Sequence, residues 1–191
     1  MSFLDLVIKT RSCRRFDQKP LPEGFLETLV KIAAVCPSGK NQQPLKYITI
    51  DDQDFMKKLY PSLRWAGALT DWDGPEEHER PTGYVAFVLD RNISKSAGQD
   101  VGIVAQTMQL AAMEQGIASC MIGAYIKPEV TDVLSLDDSK EIMLILALGY
   151  PAEERVLVDV EDEGITAYYR DEKGVHYIPK RTPETLLLRH I

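Results

Sequence analysis

The amino-acid sequence predicts a single domain in which α-helices and β-strands alternate along the chain. The length of 191 residues lies within the roughly 100–200 residues that one domain commonly contains. Hydrophobic residues make up 45% of the chain and charged residues 27%, a balance that allows a sizeable core. Apolar residues recur at helical spacing in some segments and form short continuous runs in others.

The N-terminal third is predicted to contain three helices and one strand. Ser2 and Asp5 form a Ser-x-x-Asp pattern, which can cap the start of a short helix. Leu26 and Leu29 recur at helical spacing before a Pro-Ser-Gly sequence that ends a helix. The predicted elements are a helix after Ser2, a helix over residues 22–35, a strand over residues 47–50 and a helix over residues 52–60.

The middle of the chain contains the longest predicted helix, over residues 95–115. Its apolar residues cover much of its circumference, which is typical of a central helix or of one at an interface. Before it, residues 65–82 are rich in Gly, Pro and charged side chains, and we interpret them as an exposed loop or lid. Apolar runs predict strands over residues 84–89, 117–122 and 142–148.

The C-terminal part is predicted to form a β-hairpin and a short helix. The turn-forming sequence Asp171-Glu172-Lys173-Gly174 lies between two segments of strand-like composition, residues 167–170 and 175–178. Thr182 and Pro183 can start a final helix, with the proline at its first helical position.

Charge and cysteine content argue against several classes of protein. The formal net charge is −7 and the pI is about 5.0, whereas nucleic-acid and acidic-membrane binders need a basic face. The N-terminus shows no signal-peptide pattern, and the longest apolar run is shorter than a membrane span. Cys13, Cys36 and Cys120 are widely spaced, so we expect reduced thiols in a cytoplasmic protein.

Several motifs of known chemistry are absent from the sequence. Glu76-Glu77-His78-Glu79 could ligate a metal, but the sequence contains no HExxH arrangement and only three histidines. We therefore predict no metal site. The sequence also contains no GxGxxG, GxxxxGK[ST] or GxSxG pattern, which leaves a Rossmann site, a P-loop and a serine-hydrolase elbow unsupported.

Three short segments carry side chains that could bind an anionic or polar ligand. Thr10-Arg11-Ser12-Cys13-Arg14-Arg15-Phe16 contains three arginines, and planar guanidinium groups hold phosphate through paired hydrogen bonds. Pro37-Ser38-Gly39-Lys40-Asn41-Gln42-Gln43-Pro44 offers hydroxyl and amide groups, and Lys180-Arg181 is a basic pair. Taken singly, each segment also fits solvated surface or an ordinary turn.

In their order and spacing, these three segments resemble those of the FMN-binding nitroreductase family. Two further stretches fit the same template. One is the long helix with Asp100 and Gln106, which runs into residues 116–123, and the other is residues 146–151. No single motif is specific, but the ordered set of five spans nearly the whole chain.

The resemblance implies an α+β fold over residues 1–191, with a central, mostly antiparallel sheet flanked by helices. It also implies an intertwined homodimer with two FMN sites at its interface. Arg11, Ser12 and Arg14 match the early phosphate and flavin-ring contacts of the family. Arg14 would lie near the N1–C2 carbonyl edge of the ring, where negative charge accumulates on reduction.

Further site residues follow from the same resemblance. Pro37, Ser38 and Asn41 match a loop that the other subunit usually contributes. The backbone N–H of Gly123, beside Ile122, would face flavin N5. The family's phosphate contact near the C-terminus falls on Arg181, with Lys180 beside it. The resemblance implies no catalytic side chain, because FMN itself carries the hydride.

The implied activity is hydride transfer from NADH or NADPH through FMN to a nitroaromatic, quinone or enone-like acceptor, with ping-pong kinetics. A flavin-dependent dehydrogenase or dehalogenase on the same scaffold is the alternative within the enzyme class. A carrier or sensor that binds FMN without turnover is another alternative. A protein-interaction domain that has lost the flavin is a third, because Thr10 stands where many family members have a basic residue.

Three side chains leave further alternatives open. Trp65 and Trp72 can either stack against an aromatic substrate or pack the loop onto the body of the protein. Cys13 lies in the proposed anion-binding segment, where positive charge would favour a reactive thiolate. A small thiol packed in the core is the alternative for this cysteine.

Overall fold

A five-stranded antiparallel sheet forms the centre of the structure, a computed structural model that describes residues 1–161 and 164–191. Its strands are β1 (Phe16–Asp17), β2 (Leu45–Ile50), β3 (Gly83–Asp90), β4 (Ala118–Ile122) and β5 (Lys140–Pro151). The long strand β5 pairs with β1, β3 and β4, and β3 pairs in turn with β2. The predicted central antiparallel sheet is confirmed.

Helices flank this sheet, as the family resemblance implies. They are α1 (Phe3–Lys9), α2 (Phe25–Ala33), α3 (Gln53–Leu59), α4 (Gly98–Glu114), α5 (Lys127–Val133) and α6 (Pro183–Leu186). Short 3-10 turns cover Gly39–Asn41, Tyr60–Ser62 and Glu77–Glu79. The capping box of α1 is present, because the Asp5 N–H donates to Ser2 Oγ at 3.1 Å and the Ser2 N–H donates to Asp5 Oδ2 at 2.9 Å.

Both faces of the central sheet are buried. On one face, α2 and α4 pack with residues such as Leu29 and Met108. On the other face, α3, α5 and the segment before β3 contribute Leu59, Val130 and Trp65. Two-sided burial explains why β3 and β5 are continuous apolar runs instead of alternating ones.

The long helix α4 has two different faces. Val104, Ala105, Met108 and Ala112 are buried against the sheet. Ile103 points away from this core and is 39% exposed. The helix is therefore central, as its wide apolar arc predicts, and Ile103 leaves a large apolar side chain on its outer side.

A small second sheet contains β6 (Arg155–Val160), β7 (Tyr169–Arg170) and β8 (His176–Arg181). Strand β7 pairs antiparallel with β8 around the turn at residues 171–174, which confirms the predicted hairpin. Strand β6, which the sequence analysis did not assign, pairs with β8 in parallel. The predicted C-terminal helix is confirmed, with Pro183 in its first turn.

Residues 65–82 form a loop, but part of it is buried instead of exposed. Trp65 and Ala66 are each only 8% exposed and belong to the core. Gly74 has a φ of +124°, and a Cβ there would lie 2.8 Å from Trp65 Cδ1, so only glycine fits without strain. The packing alternative for Trp65 is therefore the one that the structure supports.

None of the helices in residues 1–161 and 164–191 has the length and apolar character needed to cross a membrane.

Candidate functional site

Two adjoining cavities lie beside the N-terminal arginine segment. The first, of about 300 Å³, includes Arg11, Ser12 and Lys180 in its lining. The second, of about 190 Å³, lies at the end of β4 and includes Gly123. Their linings share three residues, which are Arg14, Met121 and Tyr168. Together the two cavities form one trough, and we refer to them as the cationic cavity and the β4 cavity.

Backbone contacts fix the arginine segment next to β4. Helix α1 ends at Lys9 and is capped by Thr10, whose N–H and hydroxyl both donate to the Leu6 carbonyl. Ser12 then bridges to Ser119 of β4, and the Cys13 N–H donates to the Ser119 carbonyl at 2.9 Å. The side chains of Arg11, Ser12 and Arg14 are thereby placed around the cationic cavity, which brings three of the predicted residues together.

Arg11 is held so that its charge has little compensation from the protein. Its Nη2 donates to the Val7 carbonyl at 2.7 Å, and Arg155 Nη1 donates to the Arg11 carbonyl at 2.7 Å. Burial, together with the positive charge of Arg155, lowers the pKa of Arg11. Its Nε is buried without a hydrogen-bond partner among the described residues. Such a group favours a bound anion.

Arg14 is a buried cation, only 8% exposed. Its Nη1 lies 3.1 Å from His176 Nε2, and its guanidinium carbon lies 4.5 Å from the centre of the Tyr168 ring. Its backbone N–H donates to Glu153 Oε1 at 2.5 Å. Contacts to the main chain and to the guanidinium therefore fix the position of this charge at the junction of the two cavities.

His176 is fully buried beside Arg14. Burial lowers its pKa to about 4, opposed by Glu153 and reinforced by Arg14 and Arg170. The ring is therefore neutral near pH 7, and since Arg14 can only donate, we assign the proton to Nδ1 and the acceptor role to Nε2. Within the described part of the chain, Nδ1 has no hydrogen-bond partner.

Glu153 supplies the compensating negative charge behind the cavity. Its side chain is 0% exposed and accepts from Arg170 Nη2 at 2.8 Å as well as from the Arg14 N–H. The cavity lining itself contains Arg11, Arg14 and Lys180 and, over the residues that are described, no carboxylate. A phosphate-bearing ligand such as FMN fits this donor set.

The end of β4 forms an open floor for the β4 cavity. Ile122 is the last residue of the strand and is 3% exposed, and Gly123 follows it. A Cβ built on Gly123 would meet no atom within 4 Å. A flat ring can therefore approach this backbone closely, as the predicted contact to flavin N5 requires.

The two residues of the predicted basic pair at the end of β8 point to opposite faces of the strand. Lys180 lines the cationic cavity. Arg181 is the next residue of the strand, and successive side chains of a strand point to opposite faces. The structure thus places Lys180, and not Arg181, in the lining of the cavity.

The loop with Pro37, Ser38 and Asn41 lies apart from both cavities of its own chain. Pro37 and Ser38 line a different cavity of about 180 Å³. Ser38 Oγ donates to Asp100 Oδ2 at 2.6 Å, and the Gly39 N–H donates to Asp100 Oδ1 at 2.9 Å. Asn41 is exposed and has a positive φ of 56°. One chain alone does not bring this loop to Arg11 and Arg14.

Sequence reasoning missed four residues of the site. Gln109 occupies a core-facing position of α4, where a buried amide is itself a signal of function. Tyr168, His176 and Glu153 lie in or next to the small second sheet, and their contacts to Arg14 depend on tertiary packing.

Cys13 is a packed thiol and not a reactive thiolate. It is fully buried, and this burial raises its pKa to about 12.

Comparison with known proteins identifies the family. The model of the Nitroreductase family matches residues 7–90 and 85–150. The chain belongs to the nitroreductase family. Among its relatives, a 4-nitrobenzoate reductase from Pseudomonas putida is 35% identical, with 81% of this chain and 87% of the relative covered. An iodotyrosine deiodinase from Thermotoga neapolitana is 25% identical, with 79% and 89% covered.

Solved structures of this family have the same fold. An FMN-dependent nitroreductase from Clostridium difficile R20291 superimposes with a TM-score of 0.66 at 21% sequence identity. The match covers 80% of this chain and 89% of that one. The predicted nitroreductase-like α+β fold is confirmed.

The depressed pKa of His176 predicts a pH-dependent stability. An unfolded histidine takes up its proton near pH 6.5, whereas folded His176 does so near pH 4. The contribution of His176 to the free energy of unfolding is therefore complete above pH 6.5 and falls by up to about 3 kcal/mol as the pH falls towards 4. Urea unfolding of the wild type and of His176→Gln, which can accept from Arg14 but cannot be protonated, measures this loss.

The exposed histidine of the 3-10 turn at Glu77–Glu79 provides the control. We expect His78→Gln to follow the wild-type pH profile and His176→Gln to show a flatter one. Identical pH profiles for the wild type and His176→Gln would contradict the assignment.

Proposed function

We propose that this chain is an FMN-dependent oxidoreductase that passes hydride from NADH or NADPH to a nitroaromatic, quinone or related acceptor. The observation that supports this proposal is the trough that contains Arg11, Arg14, Lys180 and the open backbone at Gly123. The cation-rich end suits a phosphate, and the glycine end suits a flat ring. A relative named for reduction of a nitroaromatic compound supports the class of acceptor.

Each part of the trough has an assigned role in this proposal. We assign Arg11, Ser12 and Lys180 to the FMN phosphate and adjacent polar groups. The predicted phosphate contact of Arg181 would require its side chain to reach round from the opposite face of β8. When bound, FMN supplies the hydride-transfer chemistry, and the protein binds, orients and tunes it. We assign Arg14 to the N1–C2 edge of the ring, because a cation held in advance costs no reorganisation when negative charge develops.

We also propose that two copies of the chain form a dimer and share each site. Large apolar side chains are exposed on α1, on α4 and along the C-terminal tail, and they include Phe3 (71%), Ile103 (39%) and Leu188 (96%). Apolar patches of this kind mark interaction surfaces. A second chain can supply the Ser38 and Asn41 loop that one chain does not bring to its own cavity.

A dehalogenase is the second candidate activity. A relative named iodotyrosine deiodinase covers most of this chain at 25% identity, and both activities would use the same trough.

We further propose that residues 1–191 form one domain that works in the cytoplasm, where Cys13, Cys36 and Cys120 stay free thiols.

The first test is the visible spectrum of the purified protein. We expect a yellow protein whose released chromophore is FMN, bleaching of the flavin by NADH or NADPH without oxygen, and parallel lines in ping-pong kinetics. A carrier or sensor would bind FMN but would not be bleached by either donor. A protein that stays colourless after incubation with FMN would overturn the enzymatic proposal, whatever its fold.

The second test addresses the phosphate. A hydrogen bond between charged groups contributes about 1.5–3 kcal/mol, so we expect Lys180→Ala to weaken FMN binding roughly tenfold or more. The same measurement on Arg181→Ala determines how much this neighbour contributes. Arg91→Ala is the matched control, because Arg91 is exposed and paired with Glu141 away from the trough. Unchanged dissociation constants for Lys180→Ala and Arg181→Ala would place the phosphate elsewhere.

The third test addresses the dimer. We expect Ile103→Asp to shift the protein towards monomers in sedimentation equilibrium and to weaken FMN binding in parallel, because a buried charge disfavours the interface. Ile93→Asp is the control, since Ile93 is 40% exposed in a turn outside the proposed interface. Tight FMN binding by a demonstrably monomeric sample would refute a site shared between two chains.

A further inference from the structure

The β4 cavity points to a narrower class of substrate than the fold does. Resting on the proposed function, we propose that the electron acceptor is an aromatic compound with an anionic substituent such as a carboxylate. We further propose that Arg64 binds this substituent and thereby determines specificity.

The composition of the β4 cavity suits an aromatic substrate that lies against the flavin ring. Its volume is about 190 Å³, and the flavin ring assigned to Gly123 would occupy the floor of this cavity. Tyr168 and the small exposed part of Trp65 line it with aromatic surface, and Gly123 leaves room for a flat ring. An aromatic acceptor would therefore lie against the flavin ring, next to Tyr168.

The charge of this lining favours an anion. Arg14 and Arg64 both line the β4 cavity, and the part of the chain that the structure describes contributes no carboxylate to the lining. The chain as a whole carries a formal net charge of −7, so its average field repels anions. A local pair of arginines in an acidic protein is therefore a selective feature of this cavity.

The guanidinium groups of the two arginines differ in the contacts that they make within the protein. The guanidinium of Arg14 contacts His176 and the Tyr168 ring, and we have assigned it to the flavin edge. Arg64 uses one nitrogen, Nη1, to donate to the carbonyls of Pro61 and Leu63, each at 2.8 Å. Its backbone N–H donates to the Ala124 carbonyl at 2.9 Å, which holds the residue beside Gly123.

The remaining edge of the Arg64 guanidinium is suited to a carboxylate. Across residues 1–161 and 164–191, Nε and Nη2 of Arg64 make no hydrogen bond and the side chain forms no salt bridge. Two N–H groups on one edge match the two oxygens of a carboxylate in a bidentate pair. Because hydrogen bonds to the backbone already hold Nη1, the Arg64 side chain loses less conformational freedom when a ligand binds.

The experiment compares two acceptors of nearly equal size, 4-nitrobenzoate and 4-nitrobenzamide. We expect the wild type to prefer the anion in kcat/KM, and Arg64→Gln to reduce the ratio of anion to amide about tenfold. Arg64→Lys should restore part of the ratio, because it keeps the charge but loses the bidentate edge. Arg91→Gln, which alters an exposed arginine outside the lining of the β4 cavity, should leave the ratio unchanged.

Binding of a ligand that cannot be reduced separates this inference from the proposed function. Benzoate and benzamide are titrated calorimetrically into the FMN-loaded protein. If the purified protein does not bind FMN, the same titrations are made with the flavin-free protein. A preference for benzoate that weakens at high salt and is lost in Arg64→Gln supports the inference. Equal affinities for the two ligands, or a preference that survives in Arg64→Gln, would overturn it even if NADPH bleaches the flavin and 4-nitrobenzamide is reduced.

Discussion

The candidate site depends on two contacts made by the buried carboxylate of Glu153. It accepts the Arg14 N–H on one side and the Arg170 guanidinium on the other. It thereby joins the segment after α1, the end of β5 and the hairpin of the small sheet. Removing one partner of a buried ion pair costs about 3–5 kcal/mol, so these three parts of the chain are coupled energetically as well as in space.

The central sheet explains why the site forms at this edge. Strand β5 pairs with β4 over Ile145–Gly149 and with β1 over Tyr150 and Pro151, so it places the end of β4 next to the arginine segment. Phe16 packs over Gly149, where a Cβ would lie 2.9 Å from the Phe16 ring. A short strand and a glycine thus hold the N-terminal arginines close to the sheet without a side chain between them.

The sequence predicted most of the fold because its main elements have strong local signals. The capping pattern at Ser2, the continuous apolar runs of β3 and β5 and the turn after Arg170 each depend on neighbouring residues alone. Helix α5 and strand β6 were not assigned. The first is a short element beginning around a proline, and the second is only half-buried and depends on its parallel pairing with β8.

The candidate site was less predictable, because its contacts join residues that are far apart in sequence. The arginine segment could be recognised as an anion site, but its dependence on Glu153 and His176 involves sequence separations of 139 and 162 residues. The exposed loop predicted before β3 proved to be partly buried. Its Gly and Pro content reflects tight turns around Trp65 as much as exposure.

The distribution of charge is consistent with a protein that gains stability from its ligand. Burial and, after it, the positive charge of Arg155 lower the pKa of Arg11, and burial together with Arg14 and Arg155 lowers the pKa of His176. Folding therefore buries positive charge in this region, and Glu153 supplies compensating negative charge. A bound phosphate would remove the remaining cost, and anything that binds only the folded state stabilises that state. Ligand affinity and fold stability are then two measures of the same electrostatic arrangement.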